Sequence, residues 1–131
     1  MLKEIPALQA ICQQHLEELK ESADYLDFAI LASEDGFPIA QVSIDQIQSR
    51  KAAAMASTLS GLAGSIVREF NLNSLEGTIL ECEMGLVLCR NVQRGNKVFV
   101  LFAVVDNKVT LGQALWSIKN TAKKISGSMS D

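Results

Sequence analysis

The sequence predicts an α+β domain, in which a single antiparallel sheet carries helices on its faces. Three observations predict it. Helix-like and strand-like segments follow one another as helix, two strands, helix, three strands, helix. Short turns join the strands within each group, which favours antiparallel pairing. The 131 residues suffice for one domain with one core. We expect that domain to span residues 1–126, with residues 127–131 as a flexible tail.

The first three elements follow from periodicity and from one turn. Apolar residues at intervals of three and four predict an amphipathic helix over residues 4–21. Two β-rich segments come next, Leu26–Ser33 and Pro38–Ile44. Between them, Asp35 and Gly36 form a dipeptide that is typical of hairpin turns. These residues therefore predict a β-hairpin after the first helix.

The remaining elements start with a long helix. Asp45 is a candidate N-cap, and the helical pattern continues to about Phe70. Turn residues then separate three further strands and a last helix. Their predicted bounds are Thr78–Glu83, Leu86–Val92, Lys97–Asp106 and, for the helix, Val109–Ser126.

Two glycines inside the long helix, Gly61 and Gly64, require an explanation. Each costs about 1 kcal/mol relative to alanine. In helical projection one arc is apolar and wide enough to cover the sheet. That arc comprises Ala52, Met55, Ala56, Leu59, Leu62, Ala63, Ile66 and Phe70.

The neighbouring arc of the helix holds small residues. Its members are Ala53, Ser57, Ser60, Gly61 and Gly64, which we call the small strip. Because such a strip lets another backbone approach closely, we interpret it as the contact with the same helix of a second subunit across a two-fold axis. The alternative is a kink, or a tight contact with a loop of the same chain.

The segment TILECE, the first of the last three strands, points to the same contact. A strand that begins such a unit can lie at a sheet edge, where unpaired backbone groups accept another strand. Leu80 and Cys82 are then candidate interface residues on the face shared with Val87 and Cys89. The alternative is an edge that charged residues protect from pairing.

Composition and charge exclude several classes of function. The net charge is −3, and Lys and Arg do not cluster, so nucleic acid is not an expected partner. No apolar run is long enough to span a bilayer. With no secretion signal in the sequence, we interpret the three cysteines as reduced thiols in a cytoplasmic protein.

No set of residues in the sequence indicates an active site. The one histidine, His15, lies on the apolar face of the first helix and is expected to be structural. No cysteine pair has the spacing of a zinc site. The sequence also lacks the phosphate-binding motif G-x-x-x-x-G-K-[ST]. Catalysis, a cofactor and a bound metal are therefore not expected.

One residue of the last helix lies off its apolar face. Trp116 falls beside Lys119 and Lys123, and an exposed tryptophan next to lysines is typical of a partner contact. The alternative is that Trp116 packs against the first helix.

Three segments resemble one known family. The hairpin LASEDGFPIA, the helix KAAAMASTLSGLAGSIV and the stretch VFVLFAVVDNKVTLGQAL resemble the roadblock (dynein light-chain) family over roughly residues 26–125. The resemblance implies a profilin-like, five-stranded antiparallel sheet with one long helix on one face and two helices on the other. It also implies a dimer, with itself or a related chain, that pairs the long helices and the edge strands.

The resemblance further suggests a function. Members of the family regulate small GTPases or act as scaffolds, and stand-alone bacterial members often act beside a Ras-like GTPase that governs polarity or motility. A non-catalytic dimeric regulator or scaffold is therefore the expected function, with a small Ras-like GTPase as the partner. The alternative is a sensor of small molecules or other signals on a profilin- or PAS-like sheet.

Overall fold

The chain folds in the predicted element order. The computed structural model describes residues 4–94 and 96–129. Its elements are α1 Glu4–Ser22, β1 Leu26–Ser33, β2 Pro38–Val42, α2 Gln46–Glu69, β3 Gly77–Cys82, β4 Gly85–Arg94, β5 Lys97–Asp106 and α3 Leu111–Met129.

The five strands form one antiparallel sheet in the order β2-β1-β5-β4-β3. The β4–β5 hairpin sets the register, from Gly85 opposite Asp106 to Arg94 opposite Lys97. At the β1–β2 turn, Gly36 takes a φ of 91°, which glycine adopts without strain. The predicted fold class is confirmed.

Helices α1 and α3 pack together on one face of the sheet. The core beneath them contains Leu16 and Leu19 from α1, Ile118 and Ile125 from α3, and Leu101 from β5. The end of this layer is closed by a hydrogen bond of 2.5 Å between the Tyr25 and Ser117 hydroxyls.

Helix α2 lies on the opposite face. It begins at its predicted cap, where the Asp45 carboxylate accepts a hydrogen bond of 2.8 Å from the backbone N–H of Gln48. Its N-terminal half is held close to the sheet because its buried apolar residues are alanines. The core on this face consists of Ile30, Ala32, Ala52, Ala53, Ala56, Cys89, Val100 and Phe102.

Helix α2 is rotated about its axis relative to the prediction. Ala52 and Ala56 face the sheet as predicted, but Met55, Leu62 and Ile66 are exposed. The prediction that the whole apolar arc covers the sheet is therefore wrong. The face toward the sheet lies between the apolar arc and the small strip, so each arc forms one flank of the helix.

Some element ends differ from those predicted. Strand β2 stops at Val42 because Ser43 takes a φ of 62°. Helix α3 starts at Leu111 because the Thr110 hydroxyl accepts a hydrogen bond from the Gln113 N–H. It continues to Met129, beyond its predicted end at Ser126. Residues 130 and 131 of the expected tail lie outside the described residues.

Candidate interaction surfaces

The small strip of α2 faces its own chain in the first half of its length. Ala53 is completely buried. The Ser57 hydroxyl donates a hydrogen bond of 2.6 Å to the Glu34 carbonyl oxygen, and the Ser60 hydroxyl donates one of 3.3 Å to Asn91 Oδ1. The prediction that Ala53 contacts a second helix is therefore wrong, because its own sheet covers it. Ser57 and Ser60 are half-exposed, and their contact with a second helix remains a prediction.

The two glycines line a cleft between α2 and the sheet, with a volume of about 480 Å³. A Cβ atom added at Gly61 would meet nothing within 4 Å, and one added at Gly64 would lie 3.5 Å from Arg68 Nη1, an ordinary contact. No close approach within the described part of the chain thus requires either glycine. Their contact with a second subunit remains a prediction.

The opposite flank of α2 is apolar and exposed. Met55, Leu62, Ile66 and Phe70 have between 49% and 68% of their surface exposed, and their spacing by seven and four residues places them on one side of the helix. We call these four residues the apolar strip. Contiguous exposed apolar surface on a folded domain marks an interaction site.

Strand β3 is an edge strand, as the sequence predicts, and pairs with β4 on its inner side. Leu80 lies opposite Val87 in the register, and Cys82 lies opposite Gly85. Because Val87 packs into the core beneath α2, Leu80 lies on the same face of the sheet as that helix. Leu80 is 42% exposed, and Cys82 is also exposed.

The apolar strip and the β3 edge therefore form one candidate interaction surface. Helix α2 contacts β3, so the two features are neighbours. A partner on this surface would cover apolar side chains and pair with unbonded backbone groups at the same time. Sequence reasoning located the edge but missed the strip. The cluster of alanines at positions 52, 53 and 56 was the available signal, because small residues mark where a helix lies closest to a sheet.

Comparison with known proteins identifies the family of the chain. The Roadblock/LC7 domain family matches residues 13–106. The chain belongs to the Roadblock/LC7 domain family. The Methanocaldococcus jannaschii protein MJ1340 is 30% identical over 97 residues, which are 74% of this chain and 82% of that protein. The roadblock resemblance seen in the sequence is confirmed.

Solved structures share the roadblock fold. A Roadblock/LC7 domain from Streptomyces avermitilis is 17% identical with a TM-score of 0.81, over 91% of this chain and 98% of that one. The gliding protein MglB from Thermus thermophilus is 14% identical with a TM-score of 0.80, over 94% and 91%. Acanthamoeba castellanii profilin II, 13% identical, reaches a TM-score of 0.53 over 88% and 97%. The fold of this roadblock domain is therefore profilin-like.

Two described side chains, Cys89 and His15, were candidates for a reactive or metal-binding role. Burial raises the pKa of the Cys89 thiol from 9.0 to about 12, which keeps it protonated and unreactive. His15 is partly buried, and its Nδ1 lies 3.1 Å from Glu18 Oε1. Within the described residues, no cluster of three His, Cys, Asp or Glu side chains could hold a metal ion. None of the described helices is apolar over a length that would cross a bilayer.

Trp116 is 67% exposed, so the alternative that it packs against α1 is wrong. It lines a groove of about 550 Å³ between α3 and β4, together with Lys119, Lys123 and Arg90. The three residues predicted as a partner contact thus share one surface, on the face of the sheet opposite to α2. We call this surface the cationic groove. Its binding of a partner remains a prediction.

Proposed function

We propose that this roadblock domain is a dimeric, non-catalytic regulator or scaffold that acts on a small Ras-like GTPase. The dimer in this proposal rests on one observation, the apolar strip of α2 exposed on the same face of the sheet as the open edge of β3. The second subunit is a copy of this chain or a related roadblock chain. The dimer then either alters GTP hydrolysis by the GTPase or fixes its location.

A second copy fits the candidate surface because the surface complements itself. Two α2 helices that cross on their apolar strips cover the same four residues on each side. Two antiparallel β3 edges pair around the same two-fold axis and extend the sheet from one subunit into the next. Such a contact is isologous, as in most soluble homodimers. Burial of the apolar strip stabilises the dimer, because each Å² of apolar surface removed from water contributes about 25 cal/mol.

Two findings bear on the part that this domain takes beside a GTPase in the proposal. The sequence has no phosphate-binding loop of the P-loop type, so in this proposal the GTPase binds the nucleotide. The fold is shared with a gliding protein, MglB, which is consistent with a role in motility or polarity. The dimer contributes a continuous protein surface against which the GTPase is held.

The dimer is tested by placing a charge in the apolar strip. We expect Leu62→Glu to convert a dimer into a folded monomer in sedimentation equilibrium, because a buried unpaired carboxylate opposes association. Ala54→Glu is the matched control, since it adds the same charge at an exposed position of α2 outside the strip and should leave the dimer intact. An unchanged dimer in Leu62→Glu would refute this contact.

The GTPase partner is tested separately with purified Ras-like GTPases from the same organism. We expect one of them to be retained on the immobilised wild-type domain and to show a changed rate of GTP hydrolysis. Leu62→Glu should lose the effect if the dimer provides the surface. Intact dimers that neither bind such a GTPase nor alter its turnover would contradict the proposed partner but not the dimer.

A further inference from the structure

We propose that the cationic groove between α3 and β4 binds an acidic peptide segment of a partner protein, with Trp116 as its apolar anchor. The groove lies beneath α3, whereas the apolar strip lies on α2 at the opposite face of the sheet. The inference therefore does not depend on the dimer or on a GTPase partner.

The charge of the groove contrasts with that of the chain. Arg90, Lys119 and Lys123 line it, and no described carboxylate does, although the chain as a whole carries a net charge of −3. None of the three cations forms a salt bridge within the described residues. Three unneutralised cations facing one concave surface attract a ligand of opposite charge.

Arg90 adds a buried donor without an acceptor. Its Nε is shielded from solvent and has no hydrogen-bond partner among the described residues. The side chain crosses Gly77 of β3, where an added Cβ would lie 3.0 Å from Arg90 Cδ. An unsatisfied buried donor is costly, but this Nε is shielded from any ligand in the groove. A ligand carboxylate instead meets Arg90 where the residue lines the groove. Arginine pairs with carboxylates in a bidentate geometry.

Trp116 supplies the apolar part of the groove. The indole is largely exposed, and Lys119 follows it by one turn of α3. Tryptophan and arginine are the residue types most enriched among energetically dominant interface positions. A ligand that matches this pair carries carboxylates together with at least one apolar side chain.

The distribution of these groups favours a peptide over a phosphate or a membrane surface. Trp116 and Lys123 are separated by about 10 Å along α3, at 1.5 Å per residue. The charges are therefore spread along a line instead of converging on one anion. The amide of Asn120 lies between them in the lining and can bond a peptide backbone. A lipid surface would require a larger exposed basic cluster than three residues in a groove.

Trp116 reports occupancy of the groove, since it is the one tryptophan of the chain. We would titrate the full chain with a short peptide of Glu and Asp interspersed with Leu, free of Trp and Tyr. We expect a saturable change in Trp116 emission that weakens with added salt. A control peptide with Gln and Asn in place of the acids should give none. No saturable response to the acidic peptide would overturn the proposal.

Two double variants distinguish specific binding in the groove from non-specific electrostatic attraction to the domain. The double variant Lys119→Ala/Lys123→Ala should weaken peptide binding by about fivefold or more. The double variant Lys108→Ala/Lys124→Ala removes the same charge at exposed positions outside the lining and should bind as the wild type does. Equal weakening by both pairs would show non-specific attraction and would overturn the proposal.

Phosphate and anionic lipid are the alternative ligands of the groove. Inorganic phosphate and vesicles with anionic lipid are titrated under the same conditions. If either saturates the Trp116 signal while the acidic peptide does not, the groove belongs to that ligand and the peptide assignment is wrong. Trp116→Ala, measured by anisotropy of a labelled peptide, should also weaken binding if the indole is the anchor.

Discussion

The Ser57 hydroxyl on α2 donates a hydrogen bond of 2.6 Å to the carbonyl oxygen of Glu34, in the turn between β1 and β2. With the bond from Ser60 to Asn91, it fastens the small strip to its own sheet. These bonds and the buried alanines at positions 52, 53 and 56 accompany the same rotation of α2. The apolar strip lies on the flank opposite to the serines and is exposed.

The contribution of the Ser57 hydrogen bond to stability can be measured by comparison with Thr58, the next residue of α2. Thr58→Ala should raise the free energy of unfolding by about half a kcal/mol, because the Thr58 hydroxyl bonds only the preceding turn of α2 and alanine is the better helix former. Ser57→Ala gains similarly but loses a tertiary bond worth about 1 kcal/mol. We expect Ser57→Ala to be about 1 kcal/mol less stable than Thr58→Ala in chemical denaturation. Equal stabilities would show that the bond does not hold α2.

The elements were predictable because their signals are local. Asp45 caps α2, and Gly36 closes the β1–β2 hairpin. Each residue is next in sequence to the element that it helps to form. The rotation of α2 was not predictable in this way. Met55 and Leu62 satisfy the same apolar period whether they face the sheet or a second subunit. Periodicity identifies a surface that avoids water, but it does not identify what covers it.

A side chain at Gly85 should destabilise the fold. A Cβ added there would clash with the Val105 carbonyl oxygen on the adjacent strand, and backbone cannot move aside without disturbing the β4–β5 pairing. We expect Gly85→Ala to lower the free energy of unfolding by about 2 kcal/mol, within the usual cost of overpacking. Gly112→Ala is the control, since nothing lies within 4 Å of a Cβ at that position. Similar unfolding midpoints for the two variants would contradict the contact.

Gly61 should behave in the opposite way. Because a Cβ there meets no atom within 4 Å apart from the adjoining residues and backbone of its own helix, Gly61→Ala should stabilise the fold by about 1 kcal/mol through helix propensity. Thermal unfolding at low protein concentration measures this gain. Sedimentation at high concentration shows whether Gly61 also contacts a second subunit, in which case the variant dimer dissociates more readily. A loss of stability in the monomer would contradict the open space seen at Gly61.

The candidate surfaces were predictable to different degrees. The edge position of β3 followed from strand order, and Trp116 was identified because it breaks the apolar period of α3. The contacts of Arg90 were not predictable from the sequence. Its position in a strand gives no indication that its side chain crosses a glycine on the next strand and lines a groove under α3. Such contacts join residues that are distant in sequence and depend on the finished register.

Cys89 should make stability fall at high pH. Burial raises the pKa of its thiol from 9.0 to about 12, so between these values the unfolded chain releases a proton that the folded chain retains. The free energy of unfolding then decreases with pH, by up to about 1.4 kcal/mol per unit. We expect Cys89→Ala to show a shallower decline than the wild type over this range in urea denaturation. Cys82→Ala, at an exposed thiol, should retain the wild-type slope, and identical slopes in all three proteins would show that Cys89 ionises as readily in the folded chain as in the unfolded one.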